Sequence, residues 1–205
     1  MTRVQEAVNS QYQVALARKG GGDPKSYTCY LYRQGLDKIL KKCGEETFEA
    51  VIAAKGDDEG DTVGELNDVL YHLTVLLCAM DVPLDDVMAQ LNIRCASEGK
   101  TLDEMSQAIL ARSVQKEGDS YTAYLFQEGL DKILKKVGEA CSLLLIAAKN
   151  GDAEGVAYEA ADLLYHLLAM MLCKGISMDA LADELERRSE TTGNLKQFRQ
   201  TNLNT

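Results

Sequence analysis

The sequence predicts an all-α protein built from two tandem helical repeats that pack against each other as a pseudo-dimeric helix bundle. The first observation is composition: of 205 residues, 46% are hydrophobic, and only two are proline and three phenylalanine, which favours helices over β-structure. The second is an internal repeat spaced by 94 residues, in which 18 of the 29 positions over 26–54 are identical to those over 120–148. A unit this short buries little surface alone, so we expect the two copies to share a core.

Each repeat is predicted to open with one helix, over 2–18 in the first copy and over 101–114 in the second. Asp103 and Glu104 favour the start of the second of these helices, because acidic side chains interact well with the positive end of the helix dipole. Glycine-rich breaks follow at 20–24 and near 118–119.

Two long helices and a last helix complete each repeat. The long helices are predicted over 35–55, 61–80, 129–149 and 153–174. The last helices begin after Pro83 and after Ser177, because proline suits the first turn of a helix and serine caps its N-terminus. We place the first repeat at 1–94 and the second at 95–190, and we expect the polar segment 191–205 to be disordered.

Charge and cysteine usage exclude several classes of function. The net charge of −10 disfavours nucleic acid and anionic membranes as partners, because both need a basic face. The six cysteines form no C-x-x-C pair, which argues against a zinc or disulfide framework. No apolar run reaches the ~20 residues of a membrane span, and the first residues lack the apolar stretch of a signal peptide, so we expect a cytoplasmic protein.

The first repeat carries two pairs of carboxylates. Glu46 and Glu49 lie one turn apart on the first long helix, and Glu65 and Asp68 lie one turn apart on the second. The short connection makes these helices antiparallel neighbours, so the pairs can face each other. Four converging carboxylates suit a hard cation, Mg²⁺ first and Mn²⁺ as the alternative.

The second repeat lacks half of this set, with Ala140 and Leu143 at the positions of Glu46 and Glu49. Positions that accept alanine and leucine are expected to face inward, and a buried carboxylate is costly without a cation or another partner. Lys42 precedes Glu46 by four residues, the weaker orientation for a helical ion pair, so we expect the lysines to neutralise the acids poorly. A solvated acidic face is the competing interpretation.

Other polar residues near the acids could bind a substrate. Lys38, Lys41 and Lys42 stand within two turns of the carboxylates and could contact phosphates, although a solvated basic face has the same pattern. Tyr27 and Thr28 are placed in a loop before the long helices, where their hydroxyls could contact a ribose or a phosphate or could cap a helix. His72 and its counterpart His166 are expected to be hydrogen-bonded, partly buried residues rather than ligands.

Together these motifs resemble the phosphoribosyl-ATP pyrophosphatase family, which belongs to the all-α MazG-like nucleotide pyrophosphohydrolases. The motifs, in order, are Ser-Tyr-Thr at 26–28, Gly-Leu-Asp-Lys-Ile at 35–39, Gly-Glu-Glu-x-x-Glu at 44–49, Ile-Ala-Ala-Lys at 52–55 and Glu-x-x-Asp-x-Leu-Tyr-His at 65–72. The resemblance is full over 26–94 and holds over 120–188 without the Glu-Glu-x-x-Glu element.

The resemblance implies Mg²⁺-dependent hydrolysis of phosphoribosyl-ATP to phosphoribosyl-AMP and pyrophosphate, a step of histidine biosynthesis. It makes Glu46, Glu49, Glu65 and Asp68 the metal ligands, and Glu45 or Glu46 the residue that orients the attacking water. The second repeat keeps only Glu159 and Asp162 of the ligands, so one working site per chain is expected.

The family is commonly dimeric, and the tandem chain would imitate such a dimer, with pairing of whole chains left open. Residues of the second repeat could then reach the first site, namely Lys132, Lys135, Lys136 or Tyr121. A house-cleaning (d)NTP pyrophosphohydrolase is the alternative function, and a non-catalytic helical binding protein is a further one.

Overall fold

The computed structural model describes residues 2–115 and 120–189, which form ten α-helices and contain no β-strand. In chain order the helices are α1 (Arg3–Arg18), α2 (Tyr27–Gln34), α3 (Leu36–Lys55), α4 (Glu59–Ala79), α5 (Leu84–Cys95), α6 (Leu102–Ser113), α7 (Tyr121–Glu128), α8 (Leu130–Lys149), α9 (Ala153–Lys174) and α10 (Met178–Ser189). The all-α prediction is confirmed. The expected break near 118–119 and the predicted disordered segment 191–205 lie outside the described residues.

The short helix α2 replaces the loop predicted around Tyr27 and Thr28, so that prediction was wrong. Helix α7 is its counterpart in the second repeat. The Ser26 side chain caps α2 by accepting a hydrogen bond from the backbone N–H of Cys29. Gly35 ends α2 and begins α3 with φ +84° and ψ −179°, a conformation open essentially to glycine alone. The second repeat does the same for α7 with Ser120 and Gly129. Eight residues are too few for a hydrophobic period to be recognised, so the serine cap and the glycine are the usable signals.

Side-chain caps fix the starts of four further helices, α4, α6, α9 and α10. Thr101 and Glu104 form a capping box at α6, in which each side chain accepts a hydrogen bond from the other residue's backbone. Asp58 and Asp152 cap α4 and α9. The Ser177 hydroxyl accepts from the backbone N–H of Ala180 at the start of α10. These caps satisfy backbone donors that have no partner within a helix.

The two repeats meet along α3 and α8, which cross as antiparallel neighbours. Glycines allow the close approach: a Cβ on Gly44 would lie 3.5 Å from the Leu145 side chain, and one on Gly138 would lie 3.6 Å from Phe48. Two equivalent ion pairs close the ends of this contact, each at 2.7 Å, namely Lys55–Asp131 and Lys149–Asp37. The paired contacts describe a pseudo-twofold axis between the repeats.

The last helix of each repeat packs against the other repeat. Helix α5 lies on α9 and α6, whereas α10 lies on α4 and α1. On the surface of the α1–α10 contact, Arg3 forms 2.7 Å ion pairs with Asp183 and Glu186. This exchange of helices brings residues of the second repeat beside α4, which carries half of the predicted metal ligands.

Helix α9 is long and apolar enough to cross a membrane, with a mean hydropathy of 1.3 over its most apolar window. However, 72% of that window is buried inside the protein, where it packs against α8, α5 and α6. Helix α9 is therefore a core helix of the bundle.

Candidate functional site

Three of the predicted carboxylates converge between α3 and α4. One oxygen from each of Glu46, Glu49 and Glu65 lies within 4.8 Å of the other two. The i, i+3 spacing puts Glu46 and Glu49 on one face of α3, and the short connection folds α4 back along that face. Carboxylate oxygens at this separation repel one another, and they are the donors that hard divalent cations prefer. The arrangement therefore fits a Mg²⁺ or Mn²⁺ ion.

The fourth predicted ligand, Asp68, follows Glu65 by one turn on α4 and is 6% exposed. Its Oδ1 lies 2.9 Å from Nη1 of Arg188, on the last helix of the second repeat. Asp68 is thus next to the three glutamates along α4, and it is ion-paired across the interface between the repeats.

The two positions that lost their acids in the second repeat differ in burial. Glu46 is 3% exposed and its counterpart Ala140 is fully buried, as predicted. Glu49 is exposed, and its counterpart Leu143 remains 48% exposed, so the expectation that both positions face inward was wrong for this pair. Leucine is tolerated there because solvent, rather than the core, surrounds most of the side chain. Burial and the neighbouring Glu46 raise the pKa of Glu49.

Lys42 neutralises part of the cluster, contrary to the expectation from its order relative to Glu46. Its Nζ lies 2.9 Å from Oε1 of Glu46 and 3.0 Å from Oε2 of Glu45. Burial acts to lower the pKa of Lys42, but the hydrogen bonds to both carboxylates outweigh it and raise the pKa. Against the opposing effect of burial, the Lys42 ammonium lowers the pKa of Glu45.

The other two lysines of α3 lie around this contact. Lys41 is exposed and 3.3 Å from Glu45, and Lys38 is half-buried one turn before Lys42. A single ammonium that holds two carboxylates fixes the orientation of the α3 side chains despite the weaker sequence order.

A chain of hydrogen bonds connects α2 to the acidic cluster through His72. The His72 Nδ1–H donates to the backbone carbonyl of Asp68 at 2.8 Å, and Nε2 lies 3.3 Å from the Tyr27 hydroxyl. Nδ1 is also 4.0 Å from Oε1 of Glu46. Burial lowers the pKa of His72, so the ring is neutral and its Nε2 accepts a hydrogen bond from the Tyr27 hydroxyl. His72 is a hydrogen-bonded core residue, as predicted.

Thr28 is buried, and its hydroxyl lies 2.8 Å from the hydroxyl of Tyr71 and 3.2 Å from Nη1 of Arg18. These contacts attach α2 to α4 and α1. The second repeat keeps the same arrangement, with Thr122 at 2.8 Å from Tyr165. Conserved geometry in the copy without the acids indicates that the Thr–Tyr contact belongs to the fold of each repeat.

The contacts recorded for the three second-repeat lysines are with side chains of their own repeat. Lys136 and Lys135 lie 2.7 and 3.6 Å from Glu139, and Lys132 lies over the ring of Tyr124 at 5.4 Å. A contribution of these lysines to the first site remains a prediction.

Sequence reasoning missed Arg188. The available signal was its register, because Arg94 and Arg188 are 94 residues apart and therefore occupy the same position in the two repeats. The exchange of last helices, which carries Arg188 to the first repeat's site, could not be read from the repeat itself.

Comparison with known proteins identifies the family of both repeats. The family model for Phosphoribosyl-ATP pyrophosphohydrolase matches the chain twice, over 10–94 and over 102–189. The Phosphoribosyl-ATP pyrophosphatase of Clostridium novyi is 42% identical over 99 residues, which are 48% of this chain and 90% of that protein. The enzyme of the same name from Trichlorobacter lovleyi is 46% identical over 99 residues, 48% of this chain and 92% of that protein.

A longer relative also matches. The Histidine biosynthesis bifunctional protein HisIE of Bacillus subtilis is 47% identical over 87 residues, which are 42% of this chain and 42% of that protein. No solved structure gives a significant match. Each of these relatives aligns with about half of the chain, as a tandem duplication requires, and the two matches of the family model together cover most of it. The chain belongs to the phosphoribosyl-ATP pyrophosphohydrolase family, as a tandem of two family repeats.

Proposed function

We propose that this chain hydrolyses phosphoribosyl-ATP to phosphoribosyl-AMP and pyrophosphate in histidine biosynthesis, at one site per chain in the first repeat. The observation that carries the proposal is the convergence of Glu46, Glu49 and Glu65 within 4.8 Å, in the only repeat of this tandem family chain that keeps all three acids. Two of the relatives named above are phosphoribosyl-ATP pyrophosphatases, and the third is named a histidine biosynthesis bifunctional protein.

Glu46, Glu49, Glu65 and Asp68 would hold Mg²⁺, with Mn²⁺ as the alternative. A bound divalent ion supplies charge neutralisation for the triphosphate and makes a water molecule more acidic. Glu46 is the most enclosed of the glutamates, and its position is fixed by Lys42. A fixed, buried ligand of this kind sets the geometry of the site before substrate binds.

Glu45 and Lys42 are placed to act on the reacting groups. Glu45 remains ionised because its pKa is lowered, so it can accept a hydrogen bond from the attacking water and orient it, a role for which Glu46 is the second candidate. The Lys42 ammonium is 25% exposed and can turn toward a phosphate oxygen. Lys38, Lys41 and Tyr27 are kept as substrate-binding candidates on their nearness along α3 and α2. Thr28 is not, because its hydroxyl is buried against Tyr71 and Arg18.

The substrate is a small nucleotide, and we place the enzyme in the cytoplasm, where such metabolites are processed. In this proposal the two repeats of one chain form the pair that two subunits would form in a dimer. Association of two tandem chains stays a prediction.

Release of pyrophosphate from phosphoribosyl-ATP tests the proposal, measured with Mg²⁺ and with a chelator, beside dUTP, dCTP and ATP as competing substrates. The proposal expects metal-dependent release with the highest kcat/KM for phosphoribosyl-ATP. Higher kcat/KM for a free nucleoside triphosphate would assign the chain to nucleotide house-cleaning instead. If no nucleotide released pyrophosphate, the chain would be assigned to the non-catalytic binding proteins instead.

A further inference from the structure

We propose that Arg188, carried by the last helix of the second repeat, binds a phosphate group of the substrate in the first repeat's site. The proposal rests on the proposed function, which puts a triphosphate beside the acidic cluster. It gives the second repeat, which has lost two of its own acids, a role at the site that works.

The guanidinium of Arg188 is held beside the cluster by contacts with α4 and with its own helix. Its Nη1 lies 2.9 Å from Oδ1 of Asp68, and its Nη2 donates to the backbone carbonyl of Gly64 at 2.9 Å. Its Nε donates to Glu184 on its own helix at 2.6 Å. Gly64 and Asp68 flank Glu65 along α4, so the guanidinium lies beside one of the three converging glutamates.

Two cations from different helices therefore contact the acidic site. Lys42 approaches from α3 through Glu46, and Arg188 approaches from α10 through Asp68. A triphosphate bound to a divalent ion still carries negative charge along its chain, and positive side chains commonly neutralise it in phosphoryl transfer. The planar guanidinium suits this task because its N–H groups match two phosphate oxygens at once.

The second repeat offers an internal comparison, because Arg94 occupies the equivalent position at the site without acids. Arg94 also pairs with an aspartate, Asp162, at 2.7 Å. However, Tyr158 replaces Gly64 there, and its ring covers the guanidinium at 4.2 Å. The Arg94 side chain is 20% exposed, against 30% for Arg188.

The difference between Gly64 and Tyr158 indicates what each arginine does. At the second site the aromatic ring packs on the guanidinium, which is a stabilising contact that occupies one face of the cation. At the first site a Cβ on Gly64 would already lie 3.6 Å from Nη2 of Arg188, so any larger side chain would extend over the guanidinium. At the first site no side chain of residue 64 covers the guanidinium, and the Arg188 side chain is 30% exposed.

Arg188 would keep its position when Asp68 ligates a cation. The contacts of the guanidinium with Glu184 and with the Gly64 carbonyl do not involve the Asp68 carboxylate. The guanidinium is thus fixed beside the cluster with a positive charge to offer to a phosphate.

Pyrophosphate binding is the most direct test. Calorimetry of Arg188→Ala with pyrophosphate in the presence of Mn²⁺ is expected to show an affinity about 10- to 100-fold weaker than wild type, the range for losing a hydrogen bond to a charged group. Binding of Mn²⁺ alone should persist. Steady-state kinetics with phosphoribosyl-ATP should show a KM raised by a similar factor, with a smaller change in kcat.

Arg94→Ala is the matched control, because it removes an equivalent ion pair at the other site. It should lower the melting temperature, as Arg188→Ala does, while KM and pyrophosphate affinity stay at wild-type values. Gly64→Tyr imitates the second site and should raise KM without removing the arginine, whereas Tyr158→Gly should leave KM unchanged. If Arg188→Ala does not fold, Arg188→Lys and Gly64→Tyr decide the question through the same two measurements.

Wild-type KM and pyrophosphate affinity in Arg188→Ala would overturn the proposal. Loss of Mn²⁺ binding in Arg188→Ala would also overturn it, because Arg188 would then act only by positioning Asp68. If the wild type released no pyrophosphate from any nucleotide, the proposed function would fail, and calorimetric binding of pyrophosphate would still decide the role of Arg188.

Discussion

Removing the charge of Glu49 should stabilise the protein in the absence of divalent metal. Glu49→Gln keeps the size of the side chain and removes one of three carboxylates whose oxygens lie within 4.8 Å of one another. Carboxylates placed to bind a cation repel one another when no cation is bound. The substitution should therefore increase the stability of the metal-free protein and weaken metal binding.

The magnitude follows from the separation. Two unit charges 4.8 Å apart repel by about 0.9 kcal/mol at the dielectric constant of water and by about 3.5 kcal/mol at an effective value of about 20. Because Glu49 is exposed, the lower figure applies to each of its neighbours, Glu46 and Glu65. Lys42 offsets part of the sum, which leaves a gain of about 1 kcal/mol, or about 2–4 °C in Tm for a chain of this size.

Thermal or urea unfolding measures the stability of the metal-free protein with a chelator and the stabilisation by bound metal with Mn²⁺. The wild type should gain about 2.7 kcal/mol when free metal reaches about 100 times its Kd, and Glu49→Gln should gain far less at the same concentration. The control is Glu159→Gln in the second repeat, whose metal response should equal that of the wild type.

The stability difference between Glu49→Gln and the wild type should depend on pH in a defined direction. Because the pKa of Glu49 is raised in the folded protein, its charge destabilises the fold near neutral pH, and protonation removes this effect as the pH falls toward 4.5. The advantage of Glu49→Gln should therefore shrink in acid. A variant that is less stable than wild type without metal, or that keeps the full metal response, would refute the reasoning.

Three further predictions concern the same helices. Glu46→Ala should abolish metal binding in calorimetry and leave the Tm within a few degrees of wild type, because the second repeat already buries Ala140 at this position; a collapse of the Tm would contradict this. The double substitution Ala140→Glu and Leu143→Glu should lower the Tm without metal and add a second Mn²⁺ per chain, since Glu159 and Asp162 remain; an unchanged stoichiometry would count against the ligand set. Arg187 and Arg188 lower the pKa of Glu184 to about 2, so Glu184→Gln should lower the Tm at pH 7. The difference in Tm from wild type should vanish as the pH falls from 4.5 toward 2.

Much of the fold could be predicted because the repeat gives each element twice. The boundaries of the long helices agree with their glycine, proline and acidic caps, which act locally and are visible in sequence. The two eight-residue helices were missed because their signals are a single serine and a single glycine, as at Ser26 and Gly35. Their packing against the neighbouring helices of the same repeat is a tertiary effect.

The acidic site was predicted in part, because the spacing of its carboxylates is a local feature of the sequence. The spacing of Glu46 and Glu49 on one helix, and the short connection to the next, is sufficient to bring their carboxylates to Glu65. The burial of Glu49 was misjudged. Leu143 at the equivalent position of the second repeat shows that an apolar side chain is tolerated there, and not that the position is buried. The cross-repeat pairing of Asp68 with Arg188 depends on how last helices exchange between repeats, which no local pattern contains.

The central claim is that a single metal-dependent site, in the first repeat, performs the chemistry of the chain. The most direct test is pyrophosphate release from phosphoribosyl-ATP with Mg²⁺ by the wild type, Glu65→Gln and Glu159→Gln, which change equivalent residues of the two repeats. Activity should be lost in Glu65→Gln and kept at the wild-type rate in Glu159→Gln. Equal loss in both variants, or loss in Glu159→Gln alone, would contradict the account.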